Sequence, residues 1–389
     1  MSKVCFGDVV RDVKVNIDRS DNPYEYYVAG DHMDTEELRI LRRGRFSEPP
    51  EPGPAFIRGF KAGQILYGSR RTYLKKVAVA DFDGICANTT FVLESKDEGV
   101  FLQRLLPFLM YSERFTKFSI KNSKGSTNPY ILFSDLAKYE FDLPPIPKQR
   151  KLADLLWAAN ATREAYKKLL FLTGEAVKSG FVEMFGNPMQ KRSRYPNVLL
   201  ESIAEIASGV TKGRKLPQEP IFLVPYMRVA NVKDGFIDFE EIKYIEATEI
   251  EIARYRILPD DVLLTEGGDP DQLGRGSVWS SSLENCIFQN HIFRVRLNRE
   301  RILPLFFSEY LKLPQVKQYF LLCAKQTTGI ASINMKQLKS TPVMVPPIPL
   351  QARFVELVRS ADKSEFIAKR QVGLISRFLF FHLAGLASG

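Results

Sequence analysis

The chain has 389 residues, 45% of them hydrophobic and 26% charged, and its 55 Lys and Arg outweigh 45 Asp and Glu to give a formal net charge of +10. This length suits two domains or more, and this composition is typical of a soluble globular protein. A basic surplus in a chain with so much acid favours local patches for a polyanion, usually nucleic acid, over a generically basic soluble protein.

Three further protein classes fit the sequence poorly. The four cysteines are scattered without a CxxC pair or a nearby His, which argues against structural zinc and a disulfide framework. The first ten residues lack an apolar run behind a basic start, so we expect no signal peptide. The apolar stretch Phe378–Leu386 is too short to span a bilayer. A cytoplasmic protein with no membrane partner and no bound metal is therefore expected.

Residues 1–143 predict a mixed, strand-rich unit. Short apolar runs at Gln64–Tyr67, Lys76–Ala80 and Thr89–Leu93 are separated by Gly, Asp and Asn turns. Between Gly99 and Phe118 the apolar spacing becomes helical.

A proline-stiffened segment follows this unit and occurs twice. Leu143–Trp157 (LPPIPKQRKLADLLW) returns as Val345–Ser360 (VPPIPLQARFVELVRS), and the equivalent positions are 202 residues apart. The matching pairs are Pro144/Pro346, Ile146/Ile348, Pro147/Pro349, Gln149/Gln351 and Leu155/Leu357. Prolines fix φ and remove backbone donors, so each copy ends the preceding unit and leads into a helix. Repetition at a fixed offset indicates a gene duplication. We expect the two glutamines to make polar contacts at these junctions.

Each copy continues as a long amphipathic helix. Residues 149–185 predict one helix, interrupted at most near Gly174, and the second copy predicts another. A helix with an apolar stripe along its length is not stable alone in water, so we expect the two helices to pack against each other as a coiled-coil spacer. In a tandem duplication with pseudo-two-fold symmetry this packing is antiparallel. The apolar positions assigned to these subunit or spacer helices are Leu152, Leu155, Leu156, Ala159, Tyr166, Leu169, Phe354, Leu357, Val358, Ala361, Ile375 and Phe378.

The basic linker Asn187–Pro196 marks the start of a second globular unit. Its order repeats the first: Lys3–Val10 matches Asn197–Ala204, GQILY matches DDVLL, and ICANT matches IFQNH. Tyr27-Val28-Ala29 is aligned with Arg228-Val229-Ala230. The predicted α+β architecture has two similar mixed domains, residues 1–143 and 188–345, with spacer helices at 144–187 and 346–389.

Polar, basic loops in both units carry side chains suited to DNA. Arg and Lys suit guanine edges and phosphates, Asn and Gln suit adenine, and glycine admits backbone amides close to phosphate. The candidate DNA-binding residues are Arg70, Arg71, Tyr73, Lys75, Lys76, Lys121, Asn122, Lys124, Arg228, Asn231, Lys233, Gly267, Gly268, Arg275, Lys325, Gln326 and Thr327. Any single charge is more often a solvated surface group, but the clusters recur in both halves.

Catalytic motifs are missing from the sequence. Three histidines without a Ser or Cys motif make a nucleophilic triad improbable, and there is no GxxxxGK[ST] phosphate loop. Asp260, Asp261 and Glu266 suggest a metal nuclease only weakly, because Gly268 stands where such a site places lysine. No catalytic residue is assigned.

The chain resembles the DNA specificity subunit of Type I restriction–modification systems. The resemblance rests on the two proline–glutamine segments, PYMRVANVKDGFID (Pro225–Asp238), LLTEGGDPDQLGRG (Leu263–Gly276) and Phe185-Gly186, and it runs from end to end. It implies a prokaryotic, non-catalytic subunit in which each recognition domain reads one half of a bipartite asymmetric site on double-stranded DNA. It further implies two copies of a DNA adenine methyltransferase subunit and motor-nuclease restriction subunits as partners, which would bind S-adenosylmethionine, ATP and Mg²⁺.

Unit one has GSRRTYL where unit two has the EGGDPDQLGRG loop, so the two domains are expected to read different sequences. Two alternatives stay open: a specificity component of a Type IIG or IIB-like modification system, and a helical assembly scaffold that binds no DNA.

Overall fold

The computed structural model describes residues 2–190, 193–270, 273–281, 283–327 and 330–387. Contacts between residues divide the chain into two units. Unit 1 consists of Met1–Lys168 with Ile367–Gly389, and unit 2 consists of Leu169–Phe366. Each unit therefore holds a part of both long helices. The domain bounds given above stay a sequence prediction.

The predicted mixed α/β class is confirmed, and so are the two long helices, each of which has 40 residues. The helices are α1 Phe6–Val9, α2 Leu106–Tyr111, α3 Glu113–Lys121, α4 Phe133–Leu136, α5 Ile146–Phe185, α6 Glu249–Tyr255, α7 Pro304–Lys312, α8 Pro314–Cys323, α9 Met335–Lys339 and α10 Ile348–Ala387. The strands of unit 1 are β1 Ser2–Cys5, β2 Val10–Asp12, β3 Val15–Asn16, β4 Tyr26–Val28, β5 Gly44–Arg45, β6 Phe56–Phe60, β7 Ile65–Gly68, β8 Val77–Val79, β9 Gly84–Ala87, β10 Thr90–Ser95 and β11 Glu140–Leu143. The strands of unit 2 are β12 Asn197–Leu199, β13 Ala204–Ser208, β14 Ile221–Met227, β15 Lys243–Thr248, β16 Val262–Thr265, β17 Gly267–Gly268, β18 Gly276–Val278, β19 Ile287–Phe288, β20 Ile292–Leu297, β21 Lys325–Thr327, β22 Ile330–Ser332 and β23 Pro342–Met344.

The two units share one sheet plan. An antiparallel four-stranded sheet has the order β2-β10-β7-β8 in unit 1 and β13-β20-β16-β18 in unit 2. A second sheet contains one parallel pair in each unit, β4 with β9 and β14 with β19. The first and last strands before each long helix also pair, β1 with β11 and β12 with β23. The duplication inferred from the sequence is therefore a duplication of topology.

Strand register corrects one part of the sequence alignment. Ile65 pairs with Leu93, and Val262 pairs with Val295, which agrees with the match of GQILY to DDVLL. In the parallel pairs, however, Tyr27 lies opposite Ile85 and Tyr226 lies opposite Ile287. Tyr27 is thus equivalent to Tyr226, and the alignment of Tyr27-Val28-Ala29 with Arg228-Val229-Ala230 was two residues out.

The core of unit 1 lies between its four-stranded sheet and the short helices. Aromatic rings fill it, and the ring centroids of Phe115 and Tyr139 are 5.0 Å apart in an edge-to-face contact. Leu156 of α5 and Leu379 of α10 belong to the same buried cluster. Burying each such side chain stabilises the fold by about 2 kcal/mol. The long helices are therefore held in this unit by the same core that holds the sheet.

In unit 2 the segments of α5 and α10 pack closely against each other. Phe181 and Phe185 both contact Phe354, with ring centroids 5.4 and 5.7 Å apart. At Gly180 the helices approach so closely that a Cβ atom would lie 2.8 Å from Leu357 Cδ2. Gly180 of α5 thus lies near Leu357 of α10, and Phe185, further along α5, lies near the earlier residue Phe354. Within this unit the helix segments run antiparallel, as predicted.

The twelve apolar positions assigned to the helices divide by exposure. Leu156, Phe354 and Val358 are buried. Partial burial is found at Leu152, Ala159, Tyr166, Ala361 and Ile375. The others, Leu155, Leu169, Leu357 and Phe378, are exposed.

Gln149 joins the start of α5 to the body of unit 1, and its side chain is fully buried. Its Oε1 accepts from Leu102 N at 2.9 Å, and its Nε2 donates to Val100 O at 2.8 Å and Pro144 O at 2.7 Å. The expected polar contact at the junction is confirmed.

Gln351 repeats this arrangement in unit 2, where it is also fully buried. It accepts from Leu303 N at 2.8 Å and donates to Arg301 O at 3.0 Å and Pro346 O at 2.7 Å. The same three kinds of partner are bound at equivalent positions in both units.

Replacing Gln149 with leucine should lower the free energy of unfolding by about 3 kcal/mol, because the three hydrogen bonds of its buried amide to the backbone are lost. Chemical denaturation of the full chain measures this. Lys148→Ala, one residue earlier and exposed, is the matched control and should change stability by about 0.5 kcal/mol or less. Equal stability of the two variants would contradict the structural role of the glutamine.

Candidate nucleic-acid interface

In unit 1 the two predicted basic loops form one surface, which we call surface 1 (residues 69–76 and 121–130). Arg71 N donates to Pro129 O at 2.6 Å, and Lys124 and Tyr130 exchange two backbone bonds of 2.7 and 2.9 Å. Arg70 also pairs with Tyr130 in an antiparallel bridge. The loop after β7 and the loop after α3 therefore lie side by side, although some fifty residues separate them in sequence.

Four of the candidate side chains on surface 1 remain available to a ligand. Arg70, Arg71 and Lys121 are exposed, and Tyr73 keeps 51% of its surface. Arg71 Nε donates to Asn128 Oδ1 at 3.3 Å, which orients the guanidinium. Arg71 itself adopts a left-handed backbone conformation with φ of 52°, at the start of a 3₁₀ turn over Thr72–Leu74.

The other candidates of surface 1 already have partners. Lys75 Nζ lies 2.5 Å from Glu36 Oε1, Lys76 Nζ donates to Gly30 O, and Asn122 Nδ2 donates to Phe118 O at the end of α3. Lys124 pairs with Asp135 at 2.8 Å. Lys124, and after it Lys138, lowers the pKa of the Asp135 carboxyl by hydrogen bonding, so the pair stays charged. These contacts take up part of the local positive charge.

Surface 2 is the corresponding region of unit 2 (the described residues of 266–276 and 325–332, which are 266–270, 273–276, 325–327 and 330–332). Gly267 and Gly268 form β17, which pairs with β22, and β22 pairs in turn with β21. A Cβ atom at Gly267 would lie 2.9 Å from Ala331 O. The glycines therefore allow two strands to approach closely, which is a packing reason for the motif beside the predicted approach to phosphate.

Surface 2 contains four further candidate residues, two of them with described side chains. Lys325 is exposed and Arg275 is half-buried. The side chains of Gln326 and Thr327 lie outside the described residues, although their backbones belong to β21.

Glu266 and His291 form a contact at the base of surface 2 that the sequence did not indicate. His291 Nδ1 lies 2.6 Å from Glu266 Oε2, and both side chains are partly exposed. The 202-residue repeat places His291 opposite Thr89 and so gave no signal for this pair.

Asn231 supports a turn and does not face solvent, as only 3% of it is exposed. Its Oδ1 accepts from Arg228 N at 3.0 Å, and its Nδ2 donates to Asp238 O at 2.9 Å and Glu241 O at 3.0 Å. Because its amide is fully bonded, we leave Asn231 out of the proposed surface. His32 takes the equivalent place in unit 1, where its Nδ1 accepts from Ala29 N at 3.1 Å.

The other two candidates near this turn are paired with acids. Arg228 Nη2 lies 2.9 Å from Glu241 Oε2, and Lys233 lies 3.9 Å from Asp238. Hydrogen bonds from Lys243 and then from Arg228 lower the pKa of Glu241 to about 2. Arg228 and Lys233 therefore add little free positive charge to unit 2.

The carboxylates considered for a metal nuclease serve separate structural roles. Asp261 is buried and binds Arg296 through both oxygens at 2.8 Å. Asp260 pairs with Arg299 at 2.9 Å. Across the described part of the chain, no three His, Cys, Asp or Glu side chains gather as metal ligands would. None of the helices described combines the length and apolar character needed to cross a membrane.

The family model for the Type I restriction modification DNA specificity domain matches residues 59–169 and 195–373. The chain belongs to this family. Surface 1 lies within the first match and surface 2 within the second, so both are parts of specificity domains. The resemblance to Type I specificity subunits, which rested largely on the two proline–glutamine segments, is therefore confirmed.

Curated relatives carry the same description. The EcoKI specificity subunit of Escherichia coli (strain K12) is 26% identical over 281 residues, which cover 67% of this chain and 60% of that protein. The StySPI specificity subunit of Salmonella potsdam is 23% identical over 267 residues, or 64% of this chain and 57% of the relative. This chain thus spans about 60% of the length of these relatives.

Solved structures share the fold. A Type-I restriction-modification system S subunit from M. genitalium has a TM-score of 0.58 at 14% identity, covering 100% of this chain and 96% of that one. A chain from a type I R-M system, solved in work on complex assembly and conformational transition, has a TM-score of 0.53 at 18% identity and covers 98% and 96%.

Replacing Asn231 with alanine should lower the free energy of unfolding by about 2 kcal/mol, because the three hydrogen bonds of its buried amide to the backbone are lost. The DNA sequence preference of the folded protein should not change, since the buried amide is already bonded to the backbone. Thermal unfolding and a binding selection on random duplexes measure the two effects. An altered preference with unaltered stability would return Asn231 to the DNA-binding surface.

Proposed function

We propose that the chain is a non-catalytic, sequence-reading subunit of a Type I restriction–modification complex. The supporting observation is the pair of topologically equivalent loop surfaces, one in each specificity domain. Each follows a strand of the same four-stranded sheet plan, and in each unit a buried glutamine bonds the start of a long helix to the body of the unit. The printed names of the curated relatives, Type I restriction enzyme specificity subunits, support the same function.

The two surfaces differ in sequence, which supports recognition of two different half-sites. Surface 1 presents Arg70, Arg71 and Tyr73, whereas surface 2 presents the glycine strand β17 and Lys325. Arginine suits guanine edges and phosphates, and a strand without side chains brings backbone donors and acceptors close to DNA. One chain would therefore read a bipartite, asymmetric site on double-stranded DNA.

Partner subunits would supply the chemistry. Exposed apolar side chains on the long helices, including Leu155 in unit 1 and Leu357 in unit 2, support protein docking along these helices. We assign to this role two copies of a DNA adenine methyltransferase subunit that binds S-adenosylmethionine. Motor-nuclease subunits that use ATP and Mg²⁺ would join for cleavage, and the complex would act in a prokaryotic cytoplasm.

The purified chain alone should transfer no methyl group and cut no DNA. Addition of the methyltransferase subunit encoded beside it and of S-adenosylmethionine should give N6-methyladenine at one two-part sequence. Incubation with a random-sequence plasmid library followed by modification-sensitive sequencing reads both results. Methyl transfer by the isolated chain would refute the non-catalytic assignment, and methylation without sequence preference would refute the reading function.

A further inference from the structure

Surfaces 1 and 2 occupy the same place in their units. Ile131 N donates to Ser69 O at 3.0 Å, and Ile333 N donates to Glu266 O at 2.9 Å. Ser69 is therefore equivalent to Glu266, each being the residue that binds the returning strand. One residue further along, Arg70 pairs with Tyr130 while Gly267 pairs with Ser332. The two surfaces can thus be compared position by position.

The two surfaces differ in formal charge. The segments 69–76 and 121–130 contain six cationic residues and no acidic one. The segments 266–276 and 325–332 contain two cationic residues, Arg275 and Lys325, against three acidic ones. The acidic residues are Glu266, Asp269 and Asp271, the last of which lies outside the described residues. Counted over the described residues, the net charge is thus +6 on surface 1 and zero on surface 2.

Ion pairs reduce this contrast without removing it. Glu36 and Asp135 bind Lys75 and Lys124, whereas Arg70 and Lys121 have no carboxylate partner among the residues described. Paired residues of neighbouring strands point to the same face of a sheet. Arg70 therefore shares a face with Tyr130, which keeps 39% of its surface. An arginine beside an exposed aromatic ring suits both phosphate and base contacts.

We infer that the two specificity domains divide the work unequally, and that surface 1 supplies most of the electrostatic anchoring to DNA. Surface 1 binds phosphates and guanine edges through Arg70, Arg71 and Lys121. Surface 2 contributes little to phosphate binding and acts by close approach of its glycine strand to base edges. This inference rests on the proposed function and extends it, because a bipartite reader could also anchor both halves equally.

Salt dependence of DNA binding distinguishes the two arrangements. Each phosphate contact contributes about 0.9 to the slope of log K against log salt concentration. In the full-length chain bound to its methyltransferase partner, Arg70→Ala/Arg71→Ala should lower the slope by about 2 and the affinity about 10-fold or more. Lys325→Ala on surface 2 should change the affinity by a factor of about three or less. Fluorescence anisotropy on the cognate duplex at several salt concentrations measures both quantities.

Arg11→Ala is the control, since Arg11 is an exposed arginine on the edge strand β2 of the same sheet, where it pairs with Glu94. It should leave the slope unchanged. Arg70→Lys/Arg71→Lys should keep the slope and weaken discrimination in the half-site read by unit 1, because lysine keeps the charge but lacks the bidentate fork. Loss of the slope in this lysine variant would show a structural role and overturn the inference.

Equal effects of the surface 1 and surface 2 variants would also overturn it, while leaving the proposed function intact. If the unaltered complex binds no DNA sequence in preference to others, the proposed function itself fails. The two failures are therefore distinguishable in one set of titrations.

Discussion

A single buried glutamine at the start of each long helix is the contact on which each unit depends. Pro144, Pro145 and Pro147 remove three backbone donors from the segment before the helix, and the carbonyl of Pro144 is bound by the Gln149 side chain. The same amide binds Val100 and Leu102, which lead into the short helices of unit 1. Because buried polar groups are costly when unpaired, the three bonds hold the helix in one direction. Gln351 does the same in unit 2.

This arrangement separates the framework from the reading surface. Backbone bonds and buried apolar side chains build the sheets, and they are equivalent in both units. The backbone N–H groups of Ile131 and Ile333 donate to the loops that follow β7 and β16. Such backbone bonds form whichever side chains the loops carry. The side chains of these loops are therefore free to differ between the units. Such a division suits a protein whose two halves recognise different sequences on one scaffold.

Charge pairing matters more than total charge for this molecule. The chain carries a net charge of +10, yet Arg228, Lys75 and Lys124 all lie against carboxylates. Hydrogen bonds from Lys243 and then Arg228 lower the pKa of Glu241, and those from Lys124 and then Lys138 lower the pKa of Asp135, so both acids stay ionised at neutral pH. Of the two loop surfaces, surface 1 holds most of the positive charge that has no carboxylate partner among the described residues. A surplus calculated over the whole sequence conceals this difference between the two surfaces.

The sequence alone determined the duplication, the mixed class, the two long helices and the polar contacts of the two glutamines, because each depends on local spacing or on repetition at a fixed offset. Strand register was decided only by the tertiary structure: the sequence aligned Val28-Ala29 with Val229-Ala230, whereas the pairing of Tyr226 with Ile287 makes Tyr226 the equivalent of Tyr27. The tertiary structure also decided three other features: the burial of Asn231, the Glu266–His291 contact, and the pairing of the two loops that form surface 1. Each of these features is either a contact between residues that are distant in sequence or the burial of a polar side chain. Residue type and local periodicity do not predict long-range contacts or the burial of a polar side chain. Both depend on which backbone groups lack a hydrogen-bond partner once the chain has folded.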